Sequence, residues 1–375
     1  MGVGTNILGY AREEVNAAVV EAAVNGNMST FNCAEEVLLA ERLVEMNPWS
    51  DMVRFARTGG EANAVAIRIG RAASGKDGVA VCGYHGWHDW YLSLNLAGRD
   101  KLNTHLLPGL DPLGVPSGIK DSVFGFEYNN FEELRALVDT QDIGVIKMEV
   151  FRNQSPTDGF LQKVRALASE RGIVLVFDEC TSGFRQTFGG LHSLYDVEPD
   201  MAVFGKALGN GFAITAVVGR REVMEKAQAS FISSTFWTER SGPAAALATL
   251  NLMQQEESWN VITERGNDIK QRWRAVSDRY DLGMTIAGLP ALASFAFGSP
   301  NASALQTLFT QEMLKKGFLA TGAVYVSTAH TEDIIDEYFA AADPVFELIG
   351  DCMSGRPCED LLEGPVKQSG FARLN

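Results

Sequence analysis

The sequence is poor in cysteine, and its cysteines are not arranged in pairs. Five of them are spread along 375 residues, and no two have the CxxC spacing: Cys33, Cys82, Cys180, Cys352 and Cys358. A disulfide framework or a zinc knuckle is therefore not expected. Unpaired cysteines are typical of a reducing compartment, so we expect the protein to be cytoplasmic.

Positive charge and long apolar runs are also lacking. The chain has 32 Lys and Arg residues against 47 Asp and Glu residues, which gives a formal net charge of −15. Nucleic acids and anionic membranes attract Lys- and Arg-rich surfaces, so neither is an expected partner. No segment approaches the roughly 18 apolar residues of a membrane span. The N-terminus has no basic-then-apolar signal pattern, and the length and composition favour a globular chain of about two domains.

The most informative stretch of the chain is 174–212, which contains two short apolar runs. The first run ends at Asp178, and the second, 201–204, is followed by Lys206 in a glycine-rich segment. Such runs are typical of buried parallel strands. Open α/β sheets bind ligands at the carboxyl ends of their strands. The stretch therefore predicts a carboxylate and an amine at one edge of a sheet.

The rest of the chain supports an α/β fold. Its patterns predict helices over 34–46 and 61–73 and strands over 52–56 and 143–150. Strands that alternate with helices indicate βαβ units and a mainly parallel sheet. After Pro243 the pattern becomes mostly helical, which predicts a separate α+β lobe.

Thr58-Gly59-Gly60 lies between a predicted strand and a predicted helix. Two glycines let the backbone approach an anion, and the N–H groups and dipole of a helix N-terminus favour negative charge. We therefore predict a phosphate site here. The alternative is a plain tight turn that Thr58 caps. The Gly-Lys-Ser/Thr ending of a Walker loop is missing.

A second candidate segment is Gly83-Tyr84-His85-Gly86-Trp87-His88. An aromatic ring beside a glycine can lie flat against a planar ligand, which makes Tyr84 a candidate for stacking. The alternative is a metal site, because His85 and His88 are three residues apart and Asp178 could join them. An isolated HxxH pair is a weak metal signal. A metal-dependent hydrolase nevertheless stays open as a function of a different class.

Asp178 and Lys206 have a shared explanation. A buried lysine loses its proton more easily and becomes a nucleophile toward carbonyl groups, while a desolvated carboxylate favours a cationic partner. A simple ion pair in the core, or a non-catalytic protein of the same fold, is the structural alternative. One cofactor uses an amine, an anion, an aromatic face and a phosphate cup together, and that cofactor is pyridoxal 5′-phosphate.

Four motifs resemble the class III aminotransferases, a family of fold-type I pyridoxal-phosphate enzymes, and most closely their glutamate-1-semialdehyde 2,1-aminomutase branch. In chain order they are RTGGEANAVAIRIGRAASGKD, CGYHGWHD, VFDECTSGFR and FGKALGNGF. The resemblance implies a mainly parallel seven-stranded sheet sandwiched by helices, plus a smaller α+β domain. It implies a shortened N-terminal segment of the small domain at 1–47, a large cofactor-binding domain at 48–243 and the C-terminal small domain at 244–375.

The resemblance also implies roles for single residues. Lys206 matches the lysine that forms the internal aldimine and moves protons. Asp178 matches the carboxylate at the pyridine nitrogen. Tyr84 matches the ring that stacks on the cofactor, and Cys180 occupies the position against the opposite face. These four residues are the expected centre of the site.

The remaining expected contacts surround that centre. The resemblance places Thr58, Gly59 and Gly60 at the phosphate, although the family commonly has Ser-Gly-Thr there. Thr235 matches a threonine that reaches the phosphate of the neighbouring subunit, which implies a homodimer with shared active sites. His85 and Glu149 are also expected beside the cofactor, with a purely structural role open for Glu149.

The sequence departs from the family at two places that concern the substrate. Gly322 stands where the aminomutase has an acidic residue, and Trp237-Thr238-Glu239 replaces small residues after Thr235. We therefore predict an aminotransferase that moves an amino group between a small-molecule amine or amino acid and a carbonyl acceptor. The intramolecular aminomutase reaction is the alternative.

Overall fold

The structure is a computed structural model that describes residues 1–98, 101–103, 109–151 and 154–368. It contains two compact units. The larger runs from Gly4 to Trp259 and includes Gly2, and the smaller runs from Asn260 onward and includes Met1 and Val3. The predicted division at 47/48 and 243/244 is a different one and stays a prediction.

The larger unit contains a seven-stranded sheet with the strand order β1-β7-β6-β5-β4-β2-β3. Its strands are β1 (Met52–Ala56), β2 (Gly78–Cys82), β3 (Val123–Gly125), β4 (Ile143–Glu149), β5 (Val174–Asp178), β6 (Met201–Phe204) and β7 (Thr215–Gly219). Strand β7 runs antiparallel to both of its neighbours, β1 and β6, whereas the other pairs are parallel. The predicted mainly parallel seven-stranded sheet is confirmed.

Helices connect and cover these strands. They are α1 (Glu13–Val24), α2 (Ala34–Met46), α3 (Gly59–Ser74), α4 (Asp89–Leu92), α5 (Phe131–Thr140), α6 (Phe160–Arg171), α7 (Arg221–Met224) and α8 (Ser241–Glu256). Helix α3 packs against β4, β5, β6 and β7. It begins after Thr58, whose Oγ1 accepts from the N–H of Glu61, and it ends at Gly75 in the left-handed conformation.

The central strands are continuous apolar runs because they are covered on both faces. Every residue of β2, β4, β5, β6 and β7 is buried. Three of these buried residues are charged, and two of them lie side by side at the carboxyl edge, where Glu149 of β4 pairs with Asp178 of β5. A third charged residue, Lys147, lies within β4 itself.

The smaller unit is built around a cluster of aromatic rings. It contains most of α9 (Ser258–Arg279), with α10 (Ala302–Lys315), α11 (Glu332–Met353) and an antiparallel sheet of β8 (Thr285–Ala287), β9 (Leu292–Ala296) and β10 (Ala323–Tyr325). The ring of Phe295 lies 4.8 Å from that of Trp273 and 5.3 Å from that of Phe309. Within the described ranges, none of the helices combines the length and hydropathy that a membrane span requires.

Gly266 lies inside α9, and replacing it tests how closely this helix packs within the smaller unit. A Cβ added there would overlap the carbonyl oxygen of Pro290. Alanine normally stabilises a helix interior by roughly 0.5–1 kcal/mol relative to glycine. Here we expect Gly266→Ala to lower the free energy of unfolding by about 1–3 kcal/mol, because overpacking outweighs helix propensity.

Chemical denaturation followed by circular dichroism measures this change. Asn267→Ala is the matched control, because Asn267 is exposed on the same helix and should be neutral or slightly stabilising. A Gly266→Ala protein as stable as the wild type would contradict the expected overlap.

Candidate active site

The candidate site lies at the carboxyl edge of the large sheet, where β5 and β6 end side by side. Asp178 is the last residue of β5 and pairs with Val203. Strand β6 ends at Phe204, and Gly205 then leads into Lys206. Because the two strands are parallel neighbours, the acid and the amine reach the same edge, as the sequence predicts.

The carboxylate of Asp178 is only 4% exposed and is surrounded by donors. Its Oδ2 lies 2.9 Å from Nδ1 of His85, 2.9 Å from Nδ2 of Asn63 and 3.6 Å from Nζ of Lys147. Its Oδ1 accepts a hydrogen bond from the backbone N–H of Cys180 at 3.1 Å. The crowding on Oδ2 leaves Oδ1 as the oxygen with capacity for a further N–H.

These donors keep Asp178 ionised. Burial raises the pKa of Asp178, but the charge of Lys147 and the hydrogen bond from His85 outweigh burial and hold the pKa below its usual range. The ring of His85 is fully buried, with Nε2 lying 3.2 Å from the carbonyl oxygen of Cys82. Each ring nitrogen of His85 thus faces an acceptor, and Nδ1 helps to hold the carboxylate of Asp178 in place.

Lys206 is held in an unusual backbone conformation with φ at 41°. A non-glycine residue in this left-handed region costs about 1–3 kcal/mol, and such positions cluster at functional sites. Its Nζ donates to Oγ1 of Thr181 at 2.7 Å. Burial is the main reason that the pKa of Lys206 is lowered, so a larger fraction of the amine is neutral at a given pH than for a free lysine.

Small residues bring the strand ends and α3 into contact. A Cβ added to Gly205 would lie 2.9 Å from Cγ2 of Thr215 and 3.2 Å from Sγ of Cys180. A Cβ on Gly59 would lie 3.6 Å from the same sulfur. Cys180 therefore lies between the first turn of α3 and the segment that carries Lys206. Burial raises the pKa of the Cys180 thiol, which keeps it protonated.

The predicted phosphate turn is the N-terminus of α3. The hydroxyl of Thr58 caps this helix. This is the role that Thr58 has in the alternative interpretation of the segment as a plain tight turn. Gly86, with φ at +98°, packs so closely that an added Cβ would lie 3.0 Å from Cα of Gly60. The ring of His88 fills the space beside Gly60, since a Cβ there would lie 2.9 Å from Cδ2 of His88.

Tyr84 follows the end of β2, and its backbone contacts Glu149. The backbone N–H of Tyr84 donates to Oε2 of Glu149 at 3.1 Å. That carboxylate also fills the space where Gly83 lacks a side chain. Burial raises the pKa of the Tyr84 hydroxyl, and the charge of Asp178 adds to the effect. The structure gives Glu149 a contact to the backbone of the stacking candidate.

Among the described residues, Thr235 has no hydrogen bond to those around Asp178, and two of the bulky residues after it contact α3 and α8. Thr235 begins a 3-10 turn and is exposed, with no side-chain hydrogen bond to the residues that the structure describes. Nε1 of Trp237 donates to Oε1 of Glu61 at 3.0 Å. The carboxylate of Glu239 accepts from the backbone N–H groups of Ser241 and Gly242 at the start of α8. Trp237 and Glu239 thus tie this segment to α3 and α8 within one chain.

Sequence reasoning missed three residues of the site: Asn63, Lys147 and Thr181. Asn63 lies one turn into α3, and its Nδ2 donates to both Asp178 and the carbonyl oxygen of His85. Thr181 looks like an ordinary loop residue. Lys147 did carry a signal, because a lysine inside the apolar run 143–150 contradicts the pattern of a buried strand.

The geometry does not favour the metal alternative. His85 already faces Asp178 and the carbonyl oxygen of Cys82, and the ring of His88 lies 4.9 Å from that of Trp87. In the part of the chain that the structure describes, no group of three or more His, Cys, Asp or Glu side chains has a metal-binding arrangement.

Comparison with known proteins identifies the family. A family model described as "Aminotransferase class-III" matches residues 1–334. The chain belongs to the class-III aminotransferases. The predicted family, the enzyme class and the pyridoxal-phosphate cofactor are thereby confirmed, and with them a small-molecule amino donor and carbonyl acceptor.

Two curated relatives show how broad this aminotransferase family is. A 3-aminobutyryl-CoA aminotransferase from Cloacimonas acidaminovorans is 30% identical over 319 residues, which cover 82% of this chain and 73% of the relative. A glutamate-1-semialdehyde 2,1-aminomutase from Methanothrix thermoacetophila is 31% identical over 363 residues, which cover 91% of this chain and 83% of the relative.

Solved structures support the fold. The FumI protein from Sphingopyxis sp. MTA144, in its PLP internal aldimine form, matches with a TM-score of 0.83 at 24% identity and covers 96% of this chain and 86% of its own. An omega-transaminase from Sphaerobacter thermophilus has a TM-score of 0.82 at 22% identity, covering 92% and 85%. The predicted fold-type I architecture is confirmed.

The residues of this aminotransferase fit pyridoxal phosphate. Gly59 and Gly60 expose the backbone at the first turn of α3, where helix N–H groups favour a phosphate. Oδ1 of Asp178 has capacity for an N–H, and Lys206 provides an amine of lowered pKa. When bound, the cofactor supplies an aldehyde carbon that exchanges amino groups and a ring that withdraws electrons.

Gly86 offers a test of the phosphate turn. Gly86→Ala should weaken pyridoxal phosphate binding by about tenfold or more, since the new methyl would push against the Cα of Gly60 and displace the turn. Equilibrium titration of the apoprotein with the cofactor measures the dissociation constant. Gly75→Ala is the control, because Gly75 also has positive φ but nothing lies within 4 Å of an added Cβ. Equal affinities in the two variants would count against a phosphate at this turn.

Proposed function

We propose that Lys206 binds pyridoxal phosphate covalently and moves the proton during amino transfer from an amine or amino acid to a carbonyl acceptor. The observation that supports this role is the buried amine of lowered pKa at the end of β6, whose hydrogen bond goes to the neutral hydroxyl of Thr181. Among the described residues, no carboxylate forms an ion pair with this Nζ. Its proton is therefore not held by a direct ionic contact.

An amine of lowered pKa suits both tasks. Nζ of Lys206 attacks a carbonyl carbon only when it is unprotonated, and lowering its pKa enlarges that fraction. With the cofactor bound, Nζ of Lys206 would serve as the general base that takes a proton from the donor carbon and holds it for return. It would serve in the same role toward the acceptor.

Asp178 is proposed to hold the ring nitrogen of the cofactor. Oδ2 is occupied by its side-chain donors, while Oδ1 receives one backbone N–H from Cys180. An ionised carboxylate that offers Oδ1 favours a protonated nitrogen opposite it. Tyr84 is proposed to cover one face of the ring and Cys180 the other, with Gly59 and Gly60 at the phosphate.

The aminomutase is a second candidate because a relative that carries this name is 31% identical to the chain over 363 residues. Packing within the smaller unit leaves little room for an acidic side chain at position 322, where this chain has Gly322. A Cβ added there would lie 2.7 Å from Oε1 of Gln306 and 2.8 Å from the carbonyl oxygen of Phe295. Intermolecular amino transfer is therefore the proposal.

We further propose a homodimer with shared sites in the cytoplasm. Thr235 is exposed and lacks a side-chain partner within its own chain as described, which supports a contact with a second copy. Exposed apolar side chains flank it at Phe231 and Phe236. All five cysteines are free thiols, in keeping with a reducing compartment.

Lys206→Ala tests the proposed role directly. The variant should lose amino transfer by about 10²–10⁴-fold or more, because both the covalent bond and the proton carrier are removed. Borohydride should fix the cofactor to the wild type, with the label on the peptide that contains Lys206. Lys163→Ala is the control, since Lys163 is exposed on α6. Full activity of Lys206→Ala, or a label on another lysine, would refute the role.

A mixed dimer tests the shared site. One subunit carries Lys206→Ala and the other Thr235→Ala, separated from the parent dimers by two affinity tags. If Thr235 serves the site of the partner, one intact site forms and the mixed dimer has about half of the wild-type activity. If Thr235 serves its own site or none, the activity of the mixed dimer cannot exceed half that of the Thr235→Ala parent.

A further inference from the structure

The most unusual residue of the sheet is Lys147, in the middle of β4. Its side chain is 0% exposed, although lysine is almost never fully buried without a partner. In the register between β4 and β5 it lies opposite Val176, two positions before the pair of Glu149 and Asp178. Side chains alternate along a strand, so Lys147 points to the same face of the sheet as Asp178.

Among the described residues, the amine of Lys147 has one close counter-charge. Nζ lies 3.6 Å from Oδ2 of Asp178 and has no hydrogen-bond acceptor among the residues that the structure describes. Burial lowers the pKa of Lys147, while Asp178, Cys180 and Glu149 act in the opposite direction. Among the described residues, Asp178 also contacts His85, from the loop after β2. It interacts electrostatically with Tyr84, Cys180 and Lys206 as well.

Asp178 therefore already has one buried amine 3.6 Å away before any ligand arrives, and this amine acts on Asp178 as a cation while it carries its proton. A carboxylate beside a positive charge has a lower affinity for a further proton. A second cation that approaches the carboxylate of Asp178 is also repelled by a protonated Lys147. Both effects act at short range and at low dielectric, where charges interact strongly.

We propose that Lys147 is a positioning residue that acts through Asp178 to lower the proton affinity of the cofactor ring nitrogen. This inference rests on the proposed contact between Asp178 and that nitrogen. Lys147 itself lies behind the carboxylate and does not touch the reacting atoms. It sets how much positive charge the ring carries, and thereby how strongly the ring withdraws electrons from the donor carbon.

The test is nitrogen-15 NMR of the protein loaded with ring-labelled pyridoxal phosphate. Lys147→Met removes the charge and keeps an unbranched side chain that is one atom shorter. We expect the midpoint of ring-nitrogen deprotonation to move to higher pH by about one unit or more than in the wild type. Lys147→Gln, which is also neutral, should shift it in the same direction.

Both variants leave Asp178 without its buried counter-charge, which is destabilising. Both are expected to fold, because Asp178 keeps its hydrogen bonds from Asn63, His85 and the backbone of Cys180. Should Lys147→Met fail to fold, Lys147→Gln provides the same measurement. Asn63→Ala is the matched control, since it removes a neutral donor from the same oxygen and should shift the midpoint less. Superimposable nitrogen-15 titrations of the wild type and the neutral Lys147 variants would overturn the inference.

Asp178→Asn separates this inference from the proposed function. If Asp178→Asn leaves the nitrogen-15 titration unchanged, Asp178 does not contact the ring nitrogen and the proposed function fails at this point. If Asp178→Asn changes the titration and Lys147→Met does not, only the role of Lys147 is wrong. Changes in both variants, with the smaller one in Lys147→Met, support the two proposals together.

Discussion

Burial of the Asp178 carboxylate at the end of β5 governs the arrangement around it. A carboxylate removed from water costs several kcal/mol unless charges and hydrogen bonds replace its hydration. The structure provides that replacement from three separate parts of the chain: Asn63 on α3, His85 after β2 and Lys147 on β4. These contacts fix the positions of the helix, the loop and the strand relative to one another. The same interactions that keep the acid charged therefore also shape the site.

Close backbone approach is the second condition of the site. Gly60 and Gly86 almost touch, and Gly205 leaves room for the sulfur of Cys180. Side chains at these positions would push apart α3, the loop after β2 and the segment that carries Lys206. The ring of His88 occupies the space that a side chain at position 60 would need, so a hydroxyl-bearing residue would not fit there without a shift.

Much of the fold was predictable because its patterns are local. The limits of α2, β1 and β6 agree with the runs read from the sequence, and the capping of α3 by Thr58 follows from its position before two glycines. The acid and the amine were also predictable, since each directly follows an apolar run. Asn63 and Thr181 were not, because a polar residue in a helix or loop is ordinary until its neighbours are known.

The sequence by itself determined the family, the order of the elements and the residues that the parallel strands deliver to one edge. These depend on short-range patterns of apolar, glycine and charged residues. Only the tertiary structure decided which groups surround Asp178, that Glu149 contacts the backbone of Tyr84, and where Trp237 and Glu239 attach. Those contacts join residues that are far apart in the chain, and their distances depend on how strands and helices pack. The buried amine of Lys147 illustrates the difference: its residue type was visible in the sequence, but its partner was fixed by the pairing of β4 with β5.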